Sequence, residues 1–327
     1  MAGASSALQT KRELGKATRD AFGRALEALG ADHPDVVVVD GDVGNSTRTE
    51  WFGAKHPHRF FNIGIAESNL VGVAAGLASS GKTSVIASFA AFIMCNAYDQ
   101  LRMSVAYPGL NVKVVGSHAG ISIGEDGASQ MGIEDVALAC ALPGFVVIVP
   151  ADDLSAQAAT AAMLDYKGPV YLRVGRPEVP RIYAGNAAPF TIGKANSLRD
   201  GSDLTIVANG LMVAPALDAA EALAKHGVSA RVLDMHTVKP IDRDALEAAA
   251  RETGALVVAE EHLAHGGLGS VVAMAIAETL PVPIRFDNIG DQFGESGAPD
   301  ALIEKYGLTA AHVGEAARAV LAVKSKK

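Results

Sequence analysis

The stretch from Phe60 to Arg102 constrains the fold most, because it changes periodicity several times over a short distance: it reads as strand, turn, helix, strand, helix. Glu67 enters the first helix and is followed by Leu70, Val71, Val73, Ala74, Ala75 and Leu77. The helix start therefore favours a negative charge while its body belongs in a core. Ser84–Ser88 then reads as a short buried strand, with Phe89 and Phe92 after it at i, i+3 spacing. Aromatic residues make up only 5% of the chain. Two rings beside a buried carboxylate predict a slot for a flat heteroaromatic group, apolar on its face and hydrogen-bonded at its edge. Taken singly, the same residues also fit a solvated first-turn Glu and two core phenylalanines.

Elsewhere the same alternation recurs. Residues 1–10 are small and polar and predict a frayed tail. Lys11–Leu29 predicts an amphipathic helix with Leu14, Ala17, Ala21, Ala25 and Leu29 on one side. Asp35–Asp40 is apolar without alternation, the mark of a buried parallel strand. Further strands are expected at Asn111–Gly116, Phe145–Val149 and Val170–Val174, with helices at Ile133–Ala141 and Asp153–Asp165 between them. Strand–helix alternation predicts an α/β fold with a doubly wound parallel sheet. Within the Pro- and Gly-rich segment Arg176–Gly193, residues 181–193 read as a linker, dividing a domain at 8–180 from a second at 194–327. The second domain repeats the pattern with strands at Leu204–Ala208, Ala230–Leu233 and Ala255–Ala259, and helices at Met212–His226, Arg243–Glu252 and, after a glycine-rich turn, Ser270–Ala277.

At 327 residues the chain has room for two ordinary domains, and 49% hydrophobic with 20% charged residues describe a somewhat apolar globular protein, part of whose surface is expected to meet another subunit. A net charge of −8 and a pI near 5.6, with no basic run before Lys324–Lys327, argue against nucleic acid and membrane as partners. No apolar stretch approaches the ~20 residues that span a bilayer, and no leader pattern opens the chain, so a cytoplasmic protein is expected. Cys95 and Cys140 make no disulfide framework and read as core thiols.

Three motifs in this order, GIAESNLVGVAAGLA from Gly64, SFAAF from Ser88 with YDQLR from Tyr98, and GSHAGISIGEDGASQMGIEDVAL from Gly116, resemble the pyrimidine-binding domain of transketolases. The likeness is greatest to the C-terminal section found when a transketolase is split over two genes, and it continues through residues 194–327. It implies a subunit that transfers a two-carbon ketol unit between a ketose phosphate and an aldose phosphate through thiamine diphosphate. In that family a Glu hydrogen-bonds the aminopyrimidine ring, favouring the imino form whose nitrogen takes the C2 proton. Glu67 matches it, and an apolar pocket would help it keep or share a proton.

The resemblance further implies cofactor contacts by Phe89, Phe92 and Asp42, and an acceptor-phosphate clamp of Arg19, Ser46 and Arg176, for which the planar guanidinium fork is suited. His118, in a catalytic and binding role, and Asp126 match positions that contact substrate hydroxyls. One departure stands out: the family pattern Gly-Glu-Asp-Gly-x-x-His ends here in Gln130. Gln still hydrogen-bonds but cannot act as a near-neutral acid, which leaves the donor sugar open. Gly41–Arg48 lacks the last glycine of the Gly-Asp-Gly…Asn metal–diphosphate pattern. No metal site is therefore expected in this chain, and Mg²⁺ is expected to be held mainly by an N-terminal partner subunit in an α2β2 assembly. The beta subunit of a 2-oxoacid dehydrogenase decarboxylase component, with the same pair of domains, and a non-catalytic subunit retaining the fold remain as alternatives. His262 and His265, beside Gly266, read as turn residues.

Overall fold

In the computed structural model, which describes residues 12–185 and 187–325, strand Phe60–Asn62, helix Glu67–Ser79, strand Thr83–Phe89 and helix Ala90–Cys95 follow one another as the periodicities predict. Their strands join a seven-stranded sheet ordered Thr237–Lys239, Val146–Ile148, Val170–Arg173, Val112–Ser117, Thr83–Phe89, Val36–Asp40, Phe60–Asn62. All neighbours are parallel except Thr237–Lys239, which runs antiparallel to Val146–Ile148. Val36–Asp40 and Val112–Ser117 are buried throughout, because helices cover both faces. On one face Phe22 and Leu26 of helix Thr18–Leu29 and Met163 of helix Asp153–Asp165 pack on Val36, Val38 and Val85. On the other, Leu70, Val71 and Ala74 meet Val39, Ile86 and Val114.

A second sheet is ordered Ile284–Asp287, Leu256–Ala259, Leu204–Ala208, Ala230–Asp234, Asn196–Arg199, parallel except for the last strand. Helices Val213–Ala224, Arg243–Thr253, Leu268–Glu278 and Ala310–Lys324 flank it. The architecture is thus two doubly wound α/β units. Among the described residues no helix is long and apolar enough to cross a membrane.

Several local expectations are corrected. The helix expected from Lys11 begins only at Thr18: Leu14–Ala17 is a strand, antiparallel to Glu178–Pro180, a strand inside the segment read as Pro/Gly-rich connection. Lys11 and the tail before it lie outside the described residues. Leu14 is exposed for the same reason, since an edge strand and not a packed helix carries it. Cys95 is exposed, its thiol donating to Glu134 at 3.6 Å, and Cys140 is only half-buried, so neither is a fully buried core thiol. Strands Asn196–Arg199, Thr237–Lys239 and Ile284–Asp287 and helices Pro299–Lys305 and Ala310–Lys324 are additional to the expected elements.

Candidate active site

The site stands on Asp40, the last residue of its strand and almost fully buried. Its carboxylate accepts from Val43 N–H at 2.8 Å and from the hydroxyls of Thr47 and Thr49 at 3.0 and 2.6 Å. Burial raises the Asp40 pKa, while these hydrogen bonds act the other way. The bonds bend Gly41–Arg48 into a tight turn with a helical segment, Gly44–Thr47, and leave Arg48 in the left-handed region at φ 69°. Nearby, Thr18 Oγ1 accepts from Gly175 N–H at 2.7 Å, which docks the helix start carrying Arg19 beside the strand end that leads to Arg176.

These anchors bring Arg19, Asn45, Ser46, Arg48, Phe89, His118, Asp126 and Arg176 around one cavity of about 310 Å³. It lies at the carboxyl ends of adjacent parallel strands, where α/β sheets bind ligands. Arg19 donates to Ser46 O at 3.2 Å and to His118 Nε2 at 2.7 Å. Nε2 is then the acceptor, so Nδ1 carries the ring proton and donates to Ser117 Oγ at 2.9 Å. His118, at φ 56°, is nearly buried, and burial followed by the charges of Arg19, Arg176 and Arg48 pushes its pKa down to about 3. The imidazole is neutral at physiological pH. Burial, and next the charge of Arg48, also lowers the Arg19 pKa. Arg176 donates to Ile123 O at 3.1 Å and pairs with Asp126 at 3.5 Å.

Of the remaining expected residues, Phe89 lines this cavity and the others lie outside its lining. Glu67 is 7% exposed and accepts from Ser88 Oγ at 3.5 Å; its other oxygen has no hydrogen-bond partner among the described residues. Phe89 and Phe92 are parallel to within 3° with centroids 5.5 Å apart, and Phe89 also stacks on His118 at 4.0 Å. The two rings therefore stack on each other, with no room for a third ring between them. Asp42 accepts from Asn62 Nδ2 at 2.7 Å and lines a separate cavity with Asp40, Glu50 and Asn62. Gln130 is half-buried on a turn, its N–H bonded to Gly127 O, outside the lining of the arginine cavity. His262 is buried at a joint between the sheets, accepting from Ala137 N–H at 3.3 Å, and His265 is exposed; neither lines the cavity.

Two family models match the chain: the transketolase pyrimidine-binding domain over residues 15–181 and the transketolase C-terminal domain over residues 193–313. This chain belongs to the transketolase family. It is 43% identical to the putative transketolase C-terminal section of Methanocaldococcus jannaschii, covering 90% of this chain and 92% of that protein. It is 44% identical to the 6-deoxy-6-sulfo-D-fructose transketolase subunit SqwH of a Clostridium species, covering 92% and 94% respectively. A solved split gene transketolase, an inactive beta4 tetramer, superposes with a TM-score of 0.87 at 45% identity, over 95% of this chain and 99% of that one.

Transketolases use thiamine diphosphate with a divalent metal, and the residues here fit the pyrimidine end of that cofactor. Among the described residues Glu67 has one carboxyl oxygen without a hydrogen-bond partner, and the Ser88 that meets the other directly precedes the half-buried ring of Phe89. Among the described residues no group of three or more His, Cys, Asp or Glu is arranged to hold a metal ion. The transketolase motifs passed over Arg48, whose Nε donates to Asp20 at 2.6 Å and whose Nη1 donates to Asn45 O. No sequence signal announces it, because a left-handed backbone is uncommon for arginine and is set here by the Asp40 turn.

Proposed function

We propose that this chain is the C-terminal, beta subunit of a split transketolase, moving a two-carbon ketol unit from a ketose phosphate to an aldose phosphate. The observation that carries the reading is the convergence of Arg19, Ser46, His118, Asp126 and Arg176, distant in sequence, on one cavity. Three guanidiniums there, counting Arg48, suit a terminal phosphate, since charge-assisted bonds to a fork of N–H donors are strong and directional. Thiamine diphosphate supplies the electron sink when bound. Glu67 is the residue to hydrogen-bond its pyrimidine, with Phe89, Phe92 and Asp42 beside it. Neutral His118 and Asp126 orient sugar hydroxyls; His118 Nε2 does so by exchanging its bond from Arg19.

The diphosphate and Mg²⁺ fall to an N-terminal partner subunit in an α2β2 assembly, with the division of this chain at 181–193 and a cytoplasmic location. The name of the solved relative, an inactive beta4 tetramer, supports the need for that partner. A cavity for a phosphate also admits a sulfonate, and the 44% identical sulfofructose transketolase subunit makes 6-deoxy-6-sulfofructose a donor to include.

Ketol transfer from xylulose 5-phosphate, or the sulfo-sugar, to ribose 5-phosphate is measured with the chain alone and mixed with its N-terminal partner, with thiamine diphosphate and Mg²⁺. Turnover only in the mixture, lost by at least ~10²-fold in Glu67→Ala, is the expected result. Cofactor binding without turnover of any sugar would defeat the reading.

A further inference from the structure

The loop between Ala119 and Ile133 carries Asp126 and Gln130; its ends are tied to the first sheet, Ala119 N–H donating to Val174 O and Arg173 donating to Gly132 O at 3.1 Å, but its middle is held largely from the C-terminal side. Its apolar side chains Ile121, Ile123, Met131 and Ile133 belong to the same buried cluster as Leu204 and Ile206 of the C-terminal sheet. Glu261, directly after a strand of that sheet and almost fully buried, accepts from Ser122 N–H at 2.7 Å. Gly120 and Gly124 have φ of 84° and 88°, and neither has room for a side chain. A Cβ at Gly120 would lie 2.1 Å from the Glu261 carboxyl carbon, and one at Gly124 would lie 2.7 Å from Pro299. Ser296 donates its hydroxyl to Glu125 O. On the cavity side Arg176 meets the loop through Ile123 O and Asp126. Glu261 is itself fixed by Arg173, which donates to its carbonyl at 3.0 Å and lies 3.7 Å from its carboxylate.

We propose that the C-terminal domain acts as a jaw on the substrate loop, with Glu261 a positioning residue that sets where Asp126 and Gln130 meet the sugar. This rests on the transketolase reading for its substrate, but the clamp itself is a property of this chain. Beyond the Ala119–Gly132 bridge that closes it, the loop backbone belongs to no strand, so the buried acceptor on Ser122 and the close contacts at Gly120 and Gly124 weigh heavily on the position of its middle. Removing the acceptor frees the loop without touching Arg19, Ser46, His118 or Arg176. The expected consequence is a change in how the sugar is bound more than in how fast the bound sugar reacts.

Amide hydrogen exchange of peptides spanning 118–132 is measured in the chain for wild type, Glu261→Ala, Glu261→Gln and Ser296→Ala, alongside kcat and KM in the mixture with the partner. Glu261→Ala is expected to speed exchange across Ser122 by about tenfold or more, leaving 204–208 and 256–259 unchanged, and to raise the sugar KM about tenfold with kcat within about threefold. Glu261→Gln keeps an acceptor oxygen and should restore wild-type protection and KM. Ser296→Ala, on the surface and outside the buried Arg173 pair, should loosen 124–127 by about threefold even if Glu261→Ala folds poorly. Unchanged loop exchange in both Glu261→Ala and Ser296→Ala, or equal loosening of the core strands in each, would overturn the clamp. Wild type that transfers no ketol unit would overturn the functional reading alone, since exchange still decides the clamp.

Discussion

Three guanidiniums and a neutral imidazole share one cavity, and their electrostatics give this site a pH signature. The folded His118 pKa, about 3, lies below its ordinary value of 6.5. Between those values the unfolded chain takes a proton that the native chain refuses, so stability present above pH 6.5 is lost as pH falls toward the folded value. His118→Gln removes that loss. Between pH 7 and 5 its stability should fall about 2 kcal/mol less than that of wild type, measured by denaturant unfolding at each pH; parallel falls would place a charged imidazole in the native site. Gln130 invites the reverse exchange. Gln130→His should change the ratio of kcat/KM between xylulose 5-phosphate and alternative donors by about tenfold, and equal ratios over the whole donor panel would remove Gln130 from donor choice. Ser46 and Arg176 were named through the family resemblance and line the cavity, whereas Arg48 was not named, because Asp40 and its two threonine partners aim it.

The elements read most accurately carried their own boundaries. Helix Asp153–Asp165 was legible at both ends because Asp152 caps it, accepting from Ser155 N–H at 2.8 Å while Ser155 Oγ accepts from Asp152 N–H. The same carboxylate accepts from Ile182 and Tyr183 N–H at 2.8 and 3.0 Å, so this cap also docks the chain leaving the first sheet. Asp152→Ala strands those buried amides. The chain should lose about 2–4 kcal/mol and become open to proteolysis within 181–193; a loss below ~0.5 kcal/mol with no new cleavage would deny Asp152 the docking role. By contrast, residues 11–29 misled because the apolar spacing of Leu14 and Ala17 fits a helix as well as a short strand, and only its pairing with Glu178–Pro180 selects the strand.

At the scale of the whole molecule the two sheets are joined through buried charge. Arg173 lies between Asp135, at 2.8 Å, and the carbonyls of Gly132 and Glu261. Farther out, burial and then the charge of Glu315 push the Asp287 pKa up to about 7, and its Oδ2 has no hydrogen-bond partner among the described residues. Here the folded pKa exceeds the unfolded value of 3.8, so stability is lost as pH rises from that value through about 7. Asp287→Asn should therefore stabilise the chain by roughly 1–3 kcal/mol at pH 8 and by little at pH 4, read as the change in unfolding midpoint at each pH; the same effect at both would show that the carboxylate is not strained by burial. The sequence by itself determined the alternation of buried strands and helices and the doubly wound fold, because local periodicity encodes those, while its resemblance to transketolases is what singles out Glu67, Arg19, Ser46, His118 and Arg176. Only the tertiary structure decided that Phe89 and Phe92 close on each other, that Arg48 joins the cavity and that the C-terminal sheet holds the substrate loop. Those outcomes depend on the packing of the folded chain, and the last of them on a contact between residues more than a hundred positions apart, Ser122 with Glu261, which no local pattern carries.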